Sequence, residues 1–241
     1  MALIGFRLRN QYAQTPSTAR IETFSDGVMS IIVTLLVLNL NVPKLPEDPT
    51  NRQVWLQLLT LLPSFIGFAF SFLFVAIFWV NHHQLFHSLN KATIKLLWIN
   101  NLLLFWICFV PFPTSFVGNY PTQPVAVAFF NIIFFLASAN FSWMRHYVAQ
   151  AGLYNDDIPE DEQWQAFRRS LLAPLMYLIA MSTAFLSIWI SLGIDLLTAL
   201  LYFAPITTLN VKQIRALRRA EKEIAREKQK TREASADDRG D

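Results

Sequence analysis

The feature that most limits how this chain can fold is a succession of long apolar runs joined by short polar connections. A helix of about 20 apolar residues spans a hydrocarbon core of about 30 Å and satisfies its own backbone hydrogen bonds, which an irregular chain in lipid cannot do. The runs fall at about 21–42, 54–80, 93–112, 124–144, 170–190 and 192–209. They predict an all-α polytopic membrane protein with six transmembrane helices, organised as an N-terminal segment 1–20, a six-helix membrane domain 21–209 and a charged helix or tail 210–241. Between the fifth and sixth runs only Ser191 and Gly193 offer a turn, so a single broken helix is the alternative there. The first run is too long for a signal-peptide core and ends in Asn39, Asn41 and Pro43 rather than a small-residue cleavage site, so it reads as a retained helix.

Composition narrows the function classes. Of the 241 residues, 54% are hydrophobic and 15% charged, which leaves too little chain outside the runs for a catalytic domain on either side. The single cysteine, Cys108, lies inside an apolar run, so an intramolecular disulfide and a paired-cysteine zinc site are excluded. His83 and His87, four apart, read as interfacial histidines rather than metal ligands, and His146 stands alone. The expectation is therefore no enzyme, no metal, no bound cofactor and no nucleic-acid partner. The connection 152–164 carries Asp156, Asp157, Glu160, Asp161 and Glu162, but Pro159 interrupts it and no glycine sits where a calcium loop turns, so it reads as a solvated connection.

Charge sets the orientation. With an even number of spans, one side holds Arg7, Arg9, Arg20, Lys91, Lys95, Arg145, Arg168, Arg169 and the ten basic residues of the tail, which is eighteen of the twenty; the other holds Lys44 and Arg52. The positive-inside rule then puts both termini in the cytoplasm, and the inner membrane of a prokaryote is the expected location. Trp55, Trp79, Trp98, Tyr120, Trp143 and Trp164 fall near span ends, as interfacial anchors do. The tail from Lys212 to Asp241 mixes ten basic with seven acidic residues and shows only Ile214, Leu217 and Ile224 as an apolar stripe, which fits a solvated helix near anionic headgroups better than a coiled coil.

The first run differs from the others in carrying Arg20, Glu22 and Asp26 within its first two turns. Charge at membrane depth is costly and is paired, buried or turned to water; acids near a helix N-terminus are also favoured by the macrodipole, so a simple capped start explains them equally well. Ile31, Leu35 and Leu38 follow the i, i+4, i+7 rule and share a stripe, with Ser30 and Thr34 on adjoining faces. In a lipid-facing helix this is ordinary. In a pore it would stack branched apolar rings into a constriction.

Arg20-x-x-x-Phe24-Ser25-Asp26 at the start of a first span, continued by SIIVTLLVLNL, and Phe78-Trp79-Val80-Asn81-His82-His83 closing the second, resemble the signature of the transmembrane protein 175 family of potassium channels. The resemblance implies a potassium-selective channel without a TVGYG filter, which this chain also lacks. It implies a central pore lined by the first helix of each subunit, with Ile31, Leu35 and Leu38 at the narrow point, Thr34 and, more weakly, Ser30 beside Ile31 in cation selection, and Glu22 attracting cations at the mouth. It further implies that Arg20 and Asp26 hydrogen-bond behind the pore helix with a histidine, His82 or His83, as a structural network with Phe24 and Ser25. One motif copy per chain implies a homotetramer in the bilayer, passing potassium ions passively. Pro63 to Gly67 and Pro111/Pro113 are the hints of a competing secondary transporter, and a proton-permeable leak is the other alternative. Asn100, Asn101, Asn131 and Asn140 are expected to satisfy one another or backbone, and Asp195 to cap the last span.

Overall fold

The computed structural model describes residues 17–203 apart from Asp157. The N-terminal segment 1–16, the end of the sixth predicted span and the charged tail thus lie outside the described residues. The chain forms two compact units, 1–199 and 200–241, and of the second the described part is 200–203. Nine helices follow in order among the described residues: α1 Thr18–Val37, α2 Asn51–Thr60, α3 Leu62–His87, α4 Ile94–Phe109, α5 Pro111–Asn119, α6 Pro124–Gln150, α7 Glu160–Ser170, α8 Leu172–Thr183 and α9 Ile188–Phe203. Among the described residues three stretches, Leu62–His87, Ile94–Asn119 and Pro124–Gln150, are long and apolar enough to cross a membrane. Helix α1 has 20 residues but carries Arg20, Glu22 and Asp26 in its first half, and α9 is shorter.

Proline explains where the long runs break. Its ring clashes with the carbonyl four residues back and it donates no N–H, so the ladder tightens or stops just before it. The α2–α3 break at Leu61 precedes Pro63, the α4–α5 break at Val110 precedes Pro111 and Pro113, and the α7–α8 break at Leu171 precedes Pro174. Start signals are equally local. Thr50 and Gln53 form a full capping box on α2, and Thr93 Oγ1 accepts from the Leu96 N–H on α4. Helix α7 has Glu160, Asp161 and Glu162 in its first turn and Arg168 and Arg169 in its last, each complementing the helix dipole. The predicted solvated connection is therefore shorter than expected, because the chain is already helical from Glu160.

Two further boundaries differ from the sequence expectation. The turn between the fifth and sixth runs lies at Ala184–Ser187, while Ser191 and Gly193 are inside α9. Ser182 and Thr183 turn their hydroxyls back onto Leu178 O and Ile179 O, both at 2.9 Å, and the chain leaves the helix directly afterwards. Helix α3 also runs on to His87, so His82 and His83 sit within it.

The core forms where α6 packs against α4, α5, α7 and α8, and where α3 packs against α1 and α5. Phe74 of α3 meets Phe134 of α6 at 4.9 Å and Tyr177 of α8 at 5.7 Å, with the Phe130 ring tilted against Phe134 at 4.7 Å. At one end of α3 small residues replace the aromatics: Ser64, Gly67 and Ser71 face Thr114 and Gly118 of α5, with Ser71 Oγ 2.6 Å from Thr114 Oγ1. Such small-residue ridges let helix backbones approach closely in lipid. Pro63 to Gly67, which hinted at a broken transporter helix, thus serves close packing. At the other end two connections are pinned together: Asn90 N–H donates to Leu153 O and Asn155 N–H to Ser88 O, around an isolated antiparallel bridge between Leu89 and Tyr154.

Candidate functional site

Helix α1 has two unlike faces. Ile21, Ser25, Met29, Ile32 and Leu36, spaced four, four, three and four residues apart, are buried against α3, α4 and α5. On the other side Arg20, Phe24, Gly27, Ile31, Thr34, Leu35 and Leu38 are exposed in the single chain. Ile31 is 59% accessible, Leu35 43% and Leu38 70%, exposures that outward-facing residues elsewhere in the bundle share, such as Ile66 at 52% and Ile94 at 60%. Ser30 and Thr34 spend their hydroxyl hydrogens on Gly27 O at 2.9 Å and Ile31 O at 2.7 Å. Their oxygen lone pairs therefore stay available on the open side. The helix stops at Val37 with Leu38 as its cap residue, and Asn39 Nδ2 donates to Pro111 O at 2.8 Å, tying this end of α1 to the α4–α5 break.

Behind the open face a directed chain of hydrogen bonds holds the helix. Ser25 Oγ donates to Ile21 O at 2.8 Å, so it must accept from Asn100 Nδ2 at 3.0 Å. Asn100 Oδ1 is then the acceptor for His82 Nε2–H at 2.8 Å, which assigns the tautomer and leaves His82 Nδ1 without a partner. Ser25, Asn100 and His82 are all fully buried, and the His82 ring lies 4.3 Å from Phe86. A buried amide in such a place earns its position by bonding on both ends, since an unsatisfied one is disfavoured.

The charged groups sort differently. Glu22 Oε1 lies 2.7 Å from His83 Nδ1, on a His83 side chain that is half exposed and stacked between Trp79 and His87. Asp26 Oδ1 accepts from Trp79 Nε1 at 2.8 Å. Arg20 is exposed and meets no carboxylate among the described residues. The expected Arg20–Asp26–histidine arrangement is thus replaced by three separate contacts between α1 and α3 or α4. Of the two histidines, His82 faces inward. Asn100 as the hub and Trp79 as donor to Asp26 were not singled out by sequence reasoning; the signal for Asn100 was a buried-span amide that had to be satisfied.

The other polar expectations also move. Asn131 bonds Val127 O, Ser191 and Asp195 rather than Asn140, and Asp195 lies in the interior of α9 rather than at its cap. Among the described residues no group of three or more histidine, cysteine or acidic side chains converges as a metal site would require.

Comparison with known proteins places this geometry. The family model described as endosomal/lysosomal potassium channel TMEM175 matches residues 20–111, from Arg20 of α1 to the start of α5. A protein of Chamaesiphon minutus named a potassium channel is 35% identical over 78% of this chain and 93% of its own length. One of a Chryseobacterium species, also so named, is 30% identical over 77% of this chain and 92% of its own. The crystal structure of a lysosomal potassium-selective channel TMEM175 homolog from Chamaesiphon minutus superposes with a TM-score of 0.70 at 31% identity, over 78% of this chain and 97% of that one. The chain is accordingly a membrane protein of the TMEM175 family, one of its prokaryotic members.

Proposed function

We propose that the protein is a potassium-permeable channel, selective for potassium over sodium, that conducts passively through a pore lined by α1. The observation that carries this reading is the division of α1 into a buried, hydrogen-bonded back and an open front bearing Ile31, Leu35 and Leu38. Copies arranged about an axis, four by analogy of one motif per chain, would turn those fronts inward. The stacked apolar side chains then form the constriction, where water is held weakly and an ion must shed part of its shell. Thr34 and Ser30 present hydroxyl lone pairs next to Ile31, and oxygen ligands of this kind replace hydration for an alkali cation. Glu22 places a carboxylate near the start of α1 and raises the local cation concentration there.

In this reading α1, α3, the α4–α5 pair, α6, α8 and α9 make six spans, with both termini on the cytoplasmic side of the cell membrane. Relatives named as potassium channels support the permeant ion, and their family supports a non-enzymatic transport role. The test is cation flux into liposomes containing the purified protein, with potassium, sodium and a bulky organic cation, for wild type and Ile31→Asn. Fast, non-saturating potassium flux is expected, with Ile31→Asn raising it and reducing discrimination against sodium. Saturating flux that needs a counter-ion, or flux indifferent to Ile31→Asn, would overturn the reading.

A further inference from the structure

Helix α9 buries a stripe of polar side chains that the proposed pore does not use. Ser191, Asp195 and Thr198, together with Ala199, follow an i, i+4, i+7, i+8 pattern and are at most 1% exposed. Thr198 Oγ1 spends its hydrogen on Ile194 O at 2.8 Å. Across from them on α6, Asn131 is fully buried, and its Nδ2 donates to Val127 O at 3.1 Å, to Ser191 Oγ at 3.2 Å and to Asp195 Oδ2 at 3.4 Å. Two atoms are left over. Asn131 Oδ1 and Asp195 Oδ1 are both buried and both without a hydrogen-bond partner. Both are acceptors, so what the pair lacks is a donor.

Among the described residues no countercharge meets this contact, and the charges of α7 end at Arg168 and Arg169 beside Ser142, roughly 17 Å along α6 from Asn131. Val127, Ala128, Ala184, Met181 and Ile188 pack together beside this contact. Helix α8 carries no ionisable side chain but Tyr177, α5 carries none, and α9 itself has only Tyr202 besides Asp195 among its described residues. On α6 the basic residues begin at Arg145, about 21 Å along the helix from Asn131 at 1.5 Å per residue. On α4, Lys95 lies over the Tyr147 ring at that same far end, and Cys108 is exposed. The histidines of α3, His82, His83 and His87, belong to the α1 network and its exposed neighbours. An ionised carboxylate held here would be desolvated and unpaired, which is among the costliest arrangements in an apolar interior.

We propose that Asp195 and Asn131 form a proton-binding site, in which Asp195 Oδ1 carries a proton delivered by a hydronium ion of the solvent and hydrogen-bonds through it to Asn131 Oδ1. One O–H bond of the hydronium breaks as one forms at Asp195, water leaves, the pair is left without charge, and the Asn131 N–H to Asp195 Oδ2 contact already present closes a ring of two hydrogen bonds between an amide and a carboxylic acid. Both orphan oxygens are satisfied at once, one as donor and one as acceptor. Asp195 then joins α9 to α6 as a neutral group, which an acid inside a membrane bundle can do at little electrostatic cost. An alkali cation held between the same two oxygens is the competing occupant, and the experiment separates them.

The test is infrared spectroscopy of the full-length protein in dodecyl maltoside, which has no carbonyl group, at neutral pH, as a difference between wild type and Asp195→Asn. A protonated-carboxyl C=O band that shifts in D2O and is absent from Asp195→Asn is expected. Asp195→Asn keeps the ring as an amide–amide pair, so its apparent Tm should stay within about 3 °C of wild type, whereas Asn131→Leu should lower it by roughly 5 °C or more. Absence of the band from folded wild-type protein would overturn the proposal. So would a wild-type Tm that rises on exchanging choline for sodium or potassium at constant ionic strength and loses that rise in Asp195→Asn, because that result identifies a cation site.

Discussion

Replacing Asn100 with leucine, which is close in volume, removes the hub of the Ser25–Asn100–His82 chain without emptying the space. Ser25 loses an incoming donor but still gives its hydrogen to Ile21 O. His82 fares worse, because its Nδ1 is already unpartnered and its Nε2–H would become so too. One net hydrogen bond of about 1 kcal/mol and one buried orphan donor of about 1–3 kcal/mol give a loss of about 2–4 kcal/mol. For a chain of this size that is a fall in Tm of roughly 5–15 °C. His82→Phe keeps the stacking on Phe86 and strands Asn100 Oδ1 instead, at similar cost. The double variant strands neither, so its loss should be smaller than the sum of the singles by about 1–3 kcal/mol. Tryptophan fluorescence during heating in detergent measures all four proteins. Strict additivity across the cycle would refute the argument, since it would mean that Asn100 and His82 do not depend on one another.

Other substitutions test separate parts of the fold by the same melting assay. A Cβ at Gly118 would lie 2.9 Å from Ser64 Oγ and 3.1 Å from Ser64 Cα, so Gly118→Ala must push α3 and α5 apart and should cost about 1–3 kcal/mol. Gly152 has φ +57° in the turn after α6 with open space around it, so Gly152→Ala should cost about 1 kcal/mol from backbone strain alone. Trp79→Phe keeps the ring over His83 and removes the indole donor to Asp26 on a partly exposed pair; it should leave Tm nearly unchanged, and potassium flux in liposomes reads whether that contact sets the position of α1.

The helices were legible where one signal dominated. Apolar length marks the long runs and Pro111 with Pro113 the end of the third, whereas the breaks before Pro63 and Pro174 were not read from the sequence, although a missing N–H acts through its own turn whatever packs nearby. The stripe of Ile31, Leu35 and Leu38 could be read from spacing, and so could its separation from Ile21, Ser25, Met29 and Ile32. What spacing cannot give is the partner. Asn100 lies 75 positions from Ser25, and only the packing of α4 against α1 chooses it over Asn101. The same holds for Asp195, which looks like a cap in one dimension and becomes an interior acid once α9 is laid against α6. The start of α7 was missed for a different reason: an acidic run after Pro159 is equally good as a solvated loop and as a helix first turn, and the dipole decides only after the chain has closed the turn.

The bridge between Leu89 and Tyr154 has a mechanical meaning. It cross-links the connection after α3 to the connection after α6, so two helical hairpins share one knot of backbone hydrogen bonds at the end where His82 and His83 sit. The bridge thus sets the spacing of the two hairpins at that end, while at the opposite end Ser64 Oγ on Gly118 O and Asn39 Nδ2 on Pro111 O hold α3 and α1 to the α4–α5 pair, so the bundle is clamped at both ends of α1.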